Sequence, residues 1–256
     1  LEWTQAILRA AEAKKAPVLI QTSMGAAKYM GGYKLCKVLI EELVESMGIT
    51  VPVAIHLDHG HYNDALECIR VGYTSVMFDG SHLELDENIK VTKEVIKLAK
   101  KYGADVEAEI GCVGGSEDGS EDIAINCTKP EDAVKFEKET GVDALAIAIG
   151  NAHGNYKSTP KLRFDILEEV EKNTKLPLVL HGGTGITPDD FVRCAHTGIK
   201  KINIATATFD SVEHTVKSAY EKGEISGYYD LQGAEVEGAY QNAKKHILIF
   251  GTDNKA

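Results

Sequence analysis

Short apolar runs of β type alternate along the chain with charged segments whose apolar residues recur at helical spacing. The runs are 16–23 (APVLIQTS), 52–58 (PVAIHLD), 74–79 (TSVMFD), 105–111 (DVEAEIG), 144–150 (ALAIAIG), 177–181 (PLVLH) and 201–206 (KINIAT). Helical periodicity marks 34–47, 87–102, 130–140 and 164–173. Continuous apolar strands alternating with helices predict an α/β fold whose parallel sheet is covered on both faces. Polar residues close nearly every run: Ser23, Asp58-His59-Gly60, Asp79, Glu109, His153-Gly154, His181-Gly182-Gly183-Thr184 and Asn203. Barrel enzymes place their sites at the C-terminal ends of the strands, so the pattern favours a (β/α)8 TIM barrel over an open doubly wound sheet. Seven strands are counted and the chain opens in an amphipathic helix, so the first barrel strand is expected upstream of Leu1. No linker or internal repeat divides residues 1–256, which read as one domain with a helical tail from about residue 223. The longest irregular stretch, 112–129, is rich in Gly, Ser and acids and reads as a functional loop.

Composition narrows the function classes. With 256 residues, 43% of them hydrophobic, the chain can bury a full core. A net charge of -11 argues against a nucleic-acid footprint but leaves small anionic ligands open. Five irregularly spaced cysteines fit a reducing cytoplasm rather than a disulfide framework. No apolar run suggests a membrane span.

The strand ends hold candidate chemistry. His59, His153 and His181, each followed by Gly, offer three imidazole ligands from separate strands. A catalytic zinc takes three protein ligands and keeps one position open. Glu109 or Asp79 could be an exchangeable further ligand, while His56, His61 and His82 read as supporting or surface residues. The HGGTGI segment after its strand is a candidate phosphate cradle, with Gly182, Gly183 and Thr184 on one loop and 203–206 on the next.

Six ordered segments, PVAIHLDHG, SVMFDGSH, VEAEIGCVGGSEDG, LAIAIGNAHGNYK, LPLVLHGGTGI and KINIAT, resemble the signatures of class II fructose- and tagatose-bisphosphate aldolases. The resemblance implies a zinc-dependent (β/α)8 barrel, a homodimer or homotetramer, that reversibly cleaves a ketose bisphosphate to dihydroxyacetone phosphate and an aldehyde. It assigns zinc (Zn2+) to His59, His153 and His181, with Glu109 beside the metal. It assigns the acid/base at the aldehyde oxygen to Asp58 and the shuttle of the C3 proton to Glu117. Substrate and phosphate contacts fall on Ser23, Gly154, Lys157, Gly182, Thr184, Asn203 and Thr206. A monovalent cation, Na+ or K+, is implied near Gly154 and Gly182.

Two departures qualify the substrate. Ala205 stands where fructose-specific enzymes often carry Asp, and tagatose-type enzymes carry Ala. The tail has no arginine after Arg193 to meet a distal phosphate. The competing expectation is a non-catalytic or truncated relative that binds sugar phosphates. A metal-dependent hydrolase on the same fold is the weakest reading.

Overall fold

A computed structural model of the chain describes residues 1–115, 124–156 and 159–256. The elements, in chain order, are α1 (Glu2–Lys14), β1 (Val18–Thr22), α2 (Met24–Met30), α3 (Tyr33–Ser46), β2 (Val53–Gly60), α4 (Tyr62–Val71), β3 (Ser75–Phe78), α5 (Leu85–Tyr102), β4 (Asp105–Ile110), β5 (Gly114–Gly115), α6 (Pro130–Thr140), β6 (Ala144–Ile147), β7 (Ala152–His153), α7 (Phe164–Asn173), β8 (Leu178–Leu180), α8 (Pro188–His196), β9 (Ile199–Ile202), α9 (Thr206–Glu221) and α10 (Tyr228–Phe250). Seven strands form one sheet in the order β1-β2-β3-β4-β6-β8-β9, and β5 pairs with β7 separately. Every pairing from β2 to β9 is parallel. The observed architecture is thus an α/β fold with a seven-stranded sheet whose end strands are β1 and β9.

All seven expected runs form strands. The last is displaced: residues 199–202 pair with β8, and helix α9 begins at Thr206, where strand was expected to continue. The apolar run in KINIAT masked the transition.

Residues 21–37 and 55–204 form one compact unit. Its helices follow sequence rules. In α5, Asn88, Ile89, Thr92, Val95, Ile96 and Ala99 are buried along one stripe, as the 3.6-residue period requires. Gly103 ends that helix in the left-handed conformation. Helix α6 starts on Pro130 and stops at Gly141. Past their first residues, β3, β4, β6 and β8 are buried on both faces, yet polar residues recur at several strand ends. His56 and Asp58 on β2, Glu107 and Glu109 on β4, and His181 and Asn203 after β8 and β9 are all buried.

Residues 1–20, 38–54 and 205–256 form the other unit. Helix α10 packs against α1 and α9, with Ala10, Ala16 and Ile247 clustered and Trp3 packed on Phe209 at 4.7 Å between ring centroids. Close approach of α9 to α10 needs Gly238, because a Cβ there would lie 2.7 Å from Val212 Cα. The Ser211 hydroxyl donates to the Gly238 carbonyl at 2.8 Å. Gly238→Ala should therefore lower stability by roughly 1–3 kcal/mol through overpacking. A urea midpoint equal to wild type would show that the helices can separate freely. Among the described residues no helix is long and apolar enough to cross a membrane, and all five cysteines are free.

Candidate active site

Strand β2 ends in an irregularity. Its register with β3 shifts between Leu57 and Gly60, and His59 adopts a left-handed φ of 46°. Neighbouring residues of a regular strand point to opposite faces. The bulge lets Asp58 and His59 face one point instead, at a backbone cost typical of functional sites. His59 Nε2 lies 2.7 Å from His181 Nδ1, and Asp58 Oδ1 lies 3.8 Å from the same nitrogen.

His181 follows β8 directly. Its loop is tied to the segment carrying His153. Asn151 Nδ2 donates to the His181 carbonyl at 2.9 Å. The Tyr156 hydroxyl accepts from Ala152 N at 2.7 Å and donates to the Gly182 carbonyl at 3.0 Å. Gly182 has φ +62°, and a Cβ there would sit 2.2 Å from the Ala152 carbonyl oxygen. Only glycine permits that approach. Tyr156→Phe should strand the Ala152 N–H and the Gly182 carbonyl, lowering stability by roughly 1–3 kcal/mol. Denaturation in urea measures this, and an unchanged midpoint would mean that solvent replaces both bonds.

The three expected imidazoles do meet. Ligand atoms of His59, His153 and His181 all lie within 4.8 Å of one another, as do those of His59, Asp79 and Glu109. Ring centroids of His153 stand 4.8 Å from His59 and 6.0 Å from His181. Tautomers follow from the partners. His59 Nδ1 is 2.7 Å from Asp79 Oδ2 and His181 Nε2 is 2.8 Å from Glu107 Oε1. Carboxylates accept only, so each ring donates through that nitrogen. The lone pairs on His59 Nε2 and His181 Nδ1 then converge.

Electrostatics fit a cation there. Burial, then the neighbouring His59, holds His153 down at about 4. Burial first, then His59, keeps His181 well below the ordinary value. Both rings are neutral, as metal ligands must be. Asp79 is held low by its His59 and Ser81 partners, which overcome a larger opposing effect of burial. Burial, then the Asp79 charge, raises Glu109 to about 8. Glu109 Oε1 accepts from Val113 N at 3.1 Å, and its buried Oε2 has no hydrogen-bond partner among the described residues. An orphaned carboxylate oxygen beside converging imidazoles is a donor set suited to a divalent ion.

The other expected positions fall as follows. Asp58 is buried, accepting from Asn203 Nδ2 at 2.9 Å and from Gln21 Nε2 at 3.3 Å. Ser23 caps α2, accepting from Ala26 N at 3.1 Å. Gly154 and Gly182 have positive φ, and Gly183 and Thr184 are buried beside them in sequence. Ala205 and Thr206 open α9, in the other unit. Glu117 and Lys157 lie outside the described residues. Of the three histidines read as supporting or surface residues, His61 and His82 are exposed and His56 is fully buried, bonded through Nδ1 to Ser75 Oγ at 2.8 Å.

Five polar residues at the site were not anticipated: Gln21, Glu107, Asn151, Tyr156 and Lys201. Two carried a signal. Period-2 alternation in VEAEI puts Glu107 on the face of Glu109, and in KIN it puts Lys201 with Asn203. Tyr156 and Asn151 act through loop geometry that spacing does not encode.

Comparison with known proteins establishes the family. The family model described as "Fructose-bisphosphate aldolase class-II" matches residues 1–255. A fructose-bisphosphate aldolase of Streptococcus pyogenes serotype M3 is 51% identical over 274 residues, covering 100% of this chain and 91% of the relative. One from Geobacillus stearothermophilus is 47% identical over 262 residues, covering 100% and 90%. The crystal structure of the YdjI aldolase from Escherichia coli K12 superposes with a TM-score of 0.86 at 30% identity, covering 100% of this chain and 90% of that one. The chain belongs to the class II fructose-bisphosphate aldolase family and is accordingly an aldehyde-lyase acting on ketose bisphosphates.

Proposed function

We propose that the protein is a zinc-dependent aldolase that reversibly cleaves a ketose 1,6-bisphosphate of the fructose or tagatose type to dihydroxyacetone phosphate and an aldehyde. The observation that carries this reading is the convergence of His59 Nε2 and His181 Nδ1, 2.7 Å apart, beside His153 and the carboxylate of Asp58. His59, His153 and His181 hold the zinc, and Glu109 or Asp79 offers an alternate ligand. When bound, zinc supplies Lewis acidity to the ketone.

The chain's own groups handle the protons. Asp58 takes and returns the proton at the aldehyde oxygen, and Asn203 and Gln21 hold its carboxylate in place. Glu117 moves the C3 proton, the role the resemblance gives it. Gly154, Lys157, Gly182, Gly183 and Thr184 receive the phosphate, with Ser23 on the substrate side. The Gly154 and Gly182 backbone would hold a monovalent cation, Na+ or K+.

The broader reading is one (β/α)8 barrel domain over 1–256, working in the cytoplasm as a homodimer or homotetramer. The parallel strand order supports the barrel. Chelator treatment is expected to abolish cleavage in a coupled assay for dihydroxyacetone phosphate, and zinc to restore it. Full turnover by metal-free protein would refute the reading. A panel of ketose 1-phosphates and 1,6-bisphosphates decides the sugar, with Ala205 favouring the tagatose type.

A further inference from the structure

Behind the histidines lies a buried ion pair that the mechanism above does not use. Glu107 is 2% exposed, and its Oε2 lies 3.0 Å from Lys201 Nζ, whose side chain is 11% exposed. Its other oxygen accepts from His181 Nε2 at 2.8 Å. The same Lys201 ammonium donates to Asn203 Oδ1 at 2.8 Å. Asn203 Nδ2 then faces Asp58 Oδ1 at 2.9 Å and His181 Nδ1 at 3.1 Å.

We propose that Lys201 is a positioning residue that sets the orientation of two groups in the site at once. Through Glu107 it fixes the tautomer of His181, and through Asn203 it fixes the amide that holds Asp58. The inference rests on the metal-dependent aldolase reading.

The donor and acceptor inventory leaves one arrangement. An ammonium has three donors and no acceptor, and a carboxylate only accepts. Glu107, anchored by Lys201, therefore accepts the Nε2–H hydrogen bond of His181 and leaves the Nδ1 lone pair facing His59 and His153. A flipped Asn203 would bring its NH2 group against the ammonium and its oxygen against Asp58, unfavourable on both sides. With the Lys201 contact in place, the amide has one stable orientation. Outer-shell partners of this kind orient ligands and raise their basicity. The buried site makes each bond strong and each misplacement expensive. His56 completes the surroundings, with its Nε2 3.7 Å from Glu107 Oε2, beyond hydrogen-bond reach, so it does not compete for the role.

An ion pair that only balanced charge would predict different behaviour. Two variants separate the readings, Lys201→Met and the double variant Lys201→Met/Glu107→Gln, which removes both charges together. Each is stripped of metal and titrated with Co2+, following the visible d–d bands and competition with a chelator. Steady-state kcat and KM are then measured at saturating metal. Lys201→Met should bind cobalt roughly 10–100-fold more weakly, with altered bands. At saturating metal its kcat should remain about tenfold or more below wild type, with KM changed far less.

If the single variant fails to fold, the double variant decides, and it should show the same weakened binding and altered bands. Wild-type affinity, bands and kcat in whichever variant folds would overturn the proposal. So would a double variant that recovers all three when the single variant has lost them, because charge balance alone would then explain Lys201. Failure of the wild-type chain to bind cobalt would overturn the metal reading, and this inference with it. Wild-type binding with an unaffected variant overturns this inference alone.

Discussion

Replacing His153 with alanine is expected to strip the protein of zinc and of aldol cleavage while leaving the fold standing. His153 is only partly buried, and its ring packs edge-on against His59 at 4.8 Å. Its loss opens little of the core. It does reduce the imidazole donor set from three to two, below what a catalytic zinc site takes. The fall in zinc affinity should exceed the roughly 10–100-fold seen when only an outer-shell partner is lost. The same change at His181 would be harder to read, since it would also strand Glu107 Oε1 in a buried site. Zinc per chain after dialysis against a buffered trace of the metal, together with a thermal melt under chelation, checks both halves of the expectation. Because burial and His59 hold His153 at about 4, protons compete with zinc for this ring only as the pH falls toward that value. Wild-type zinc content in His153→Ala would remove this residue from the ligand set.

How far the site was legible in the sequence depends on which physical rule placed each residue. His59, Asp79, Glu109 and His181 sit at the ends of apolar runs, where a parallel α/β sheet exposes chemistry. Run length and composition therefore sufficed to find them. Glu107 and Lys201 obey an equally simple rule, the two-residue period of a strand. Glu107 lies inside its run and Lys201 opens its own, however, where a charge reads as an interruption or a boundary rather than as a member of the inward face. His56, read from the sequence as a supporting or surface residue, is fully buried.

Other features depend on backbone geometry that residue types do not announce. The left-handed φ at His59 turns two consecutive residues to one point, yet no glycine marks it. The pairing of β5 with β7 involves two residues on each side, too short for any periodicity to register. The end of β9 was misplaced because IAT continues the apolar pattern of KIN into the first turn of α9. The sheet's end strands, β1 and β9, are a matter of which edges pair in space, and strand counting alone does not decide that.

Asp58→Asn tests the proton chemistry without disturbing the metal. The side chains have nearly the same shape, and the site can accept the change. The amide oxygen of the variant still receives the Asn203 NH2 group that now lies 2.9 Å from Asp58 Oδ1, and Gln21 can turn its own carbonyl toward the new NH2. Metal content should therefore stay at the wild-type level. What the amide cannot do is take up or return a proton at the aldehyde oxygen. Loss of a positioned acid/base is expected to lower kcat by roughly 10²–10⁴-fold, with KM far less affected because binding contacts remain. The assignment of two proton tasks to two residues sharpens the test. Exchange of the C3 hydrogen of dihydroxyacetone phosphate with solvent needs the proton shuttle assigned to Glu117, but no aldehyde. It should continue in Asp58→Asn, followed by loss of the C3 proton signal in deuterated buffer. If cleavage and exchange fall together, Asp58 serves both steps and the division of labour fails. If neither falls, the carboxylate beside His181 is structural and the acid must be sought elsewhere on the same rim.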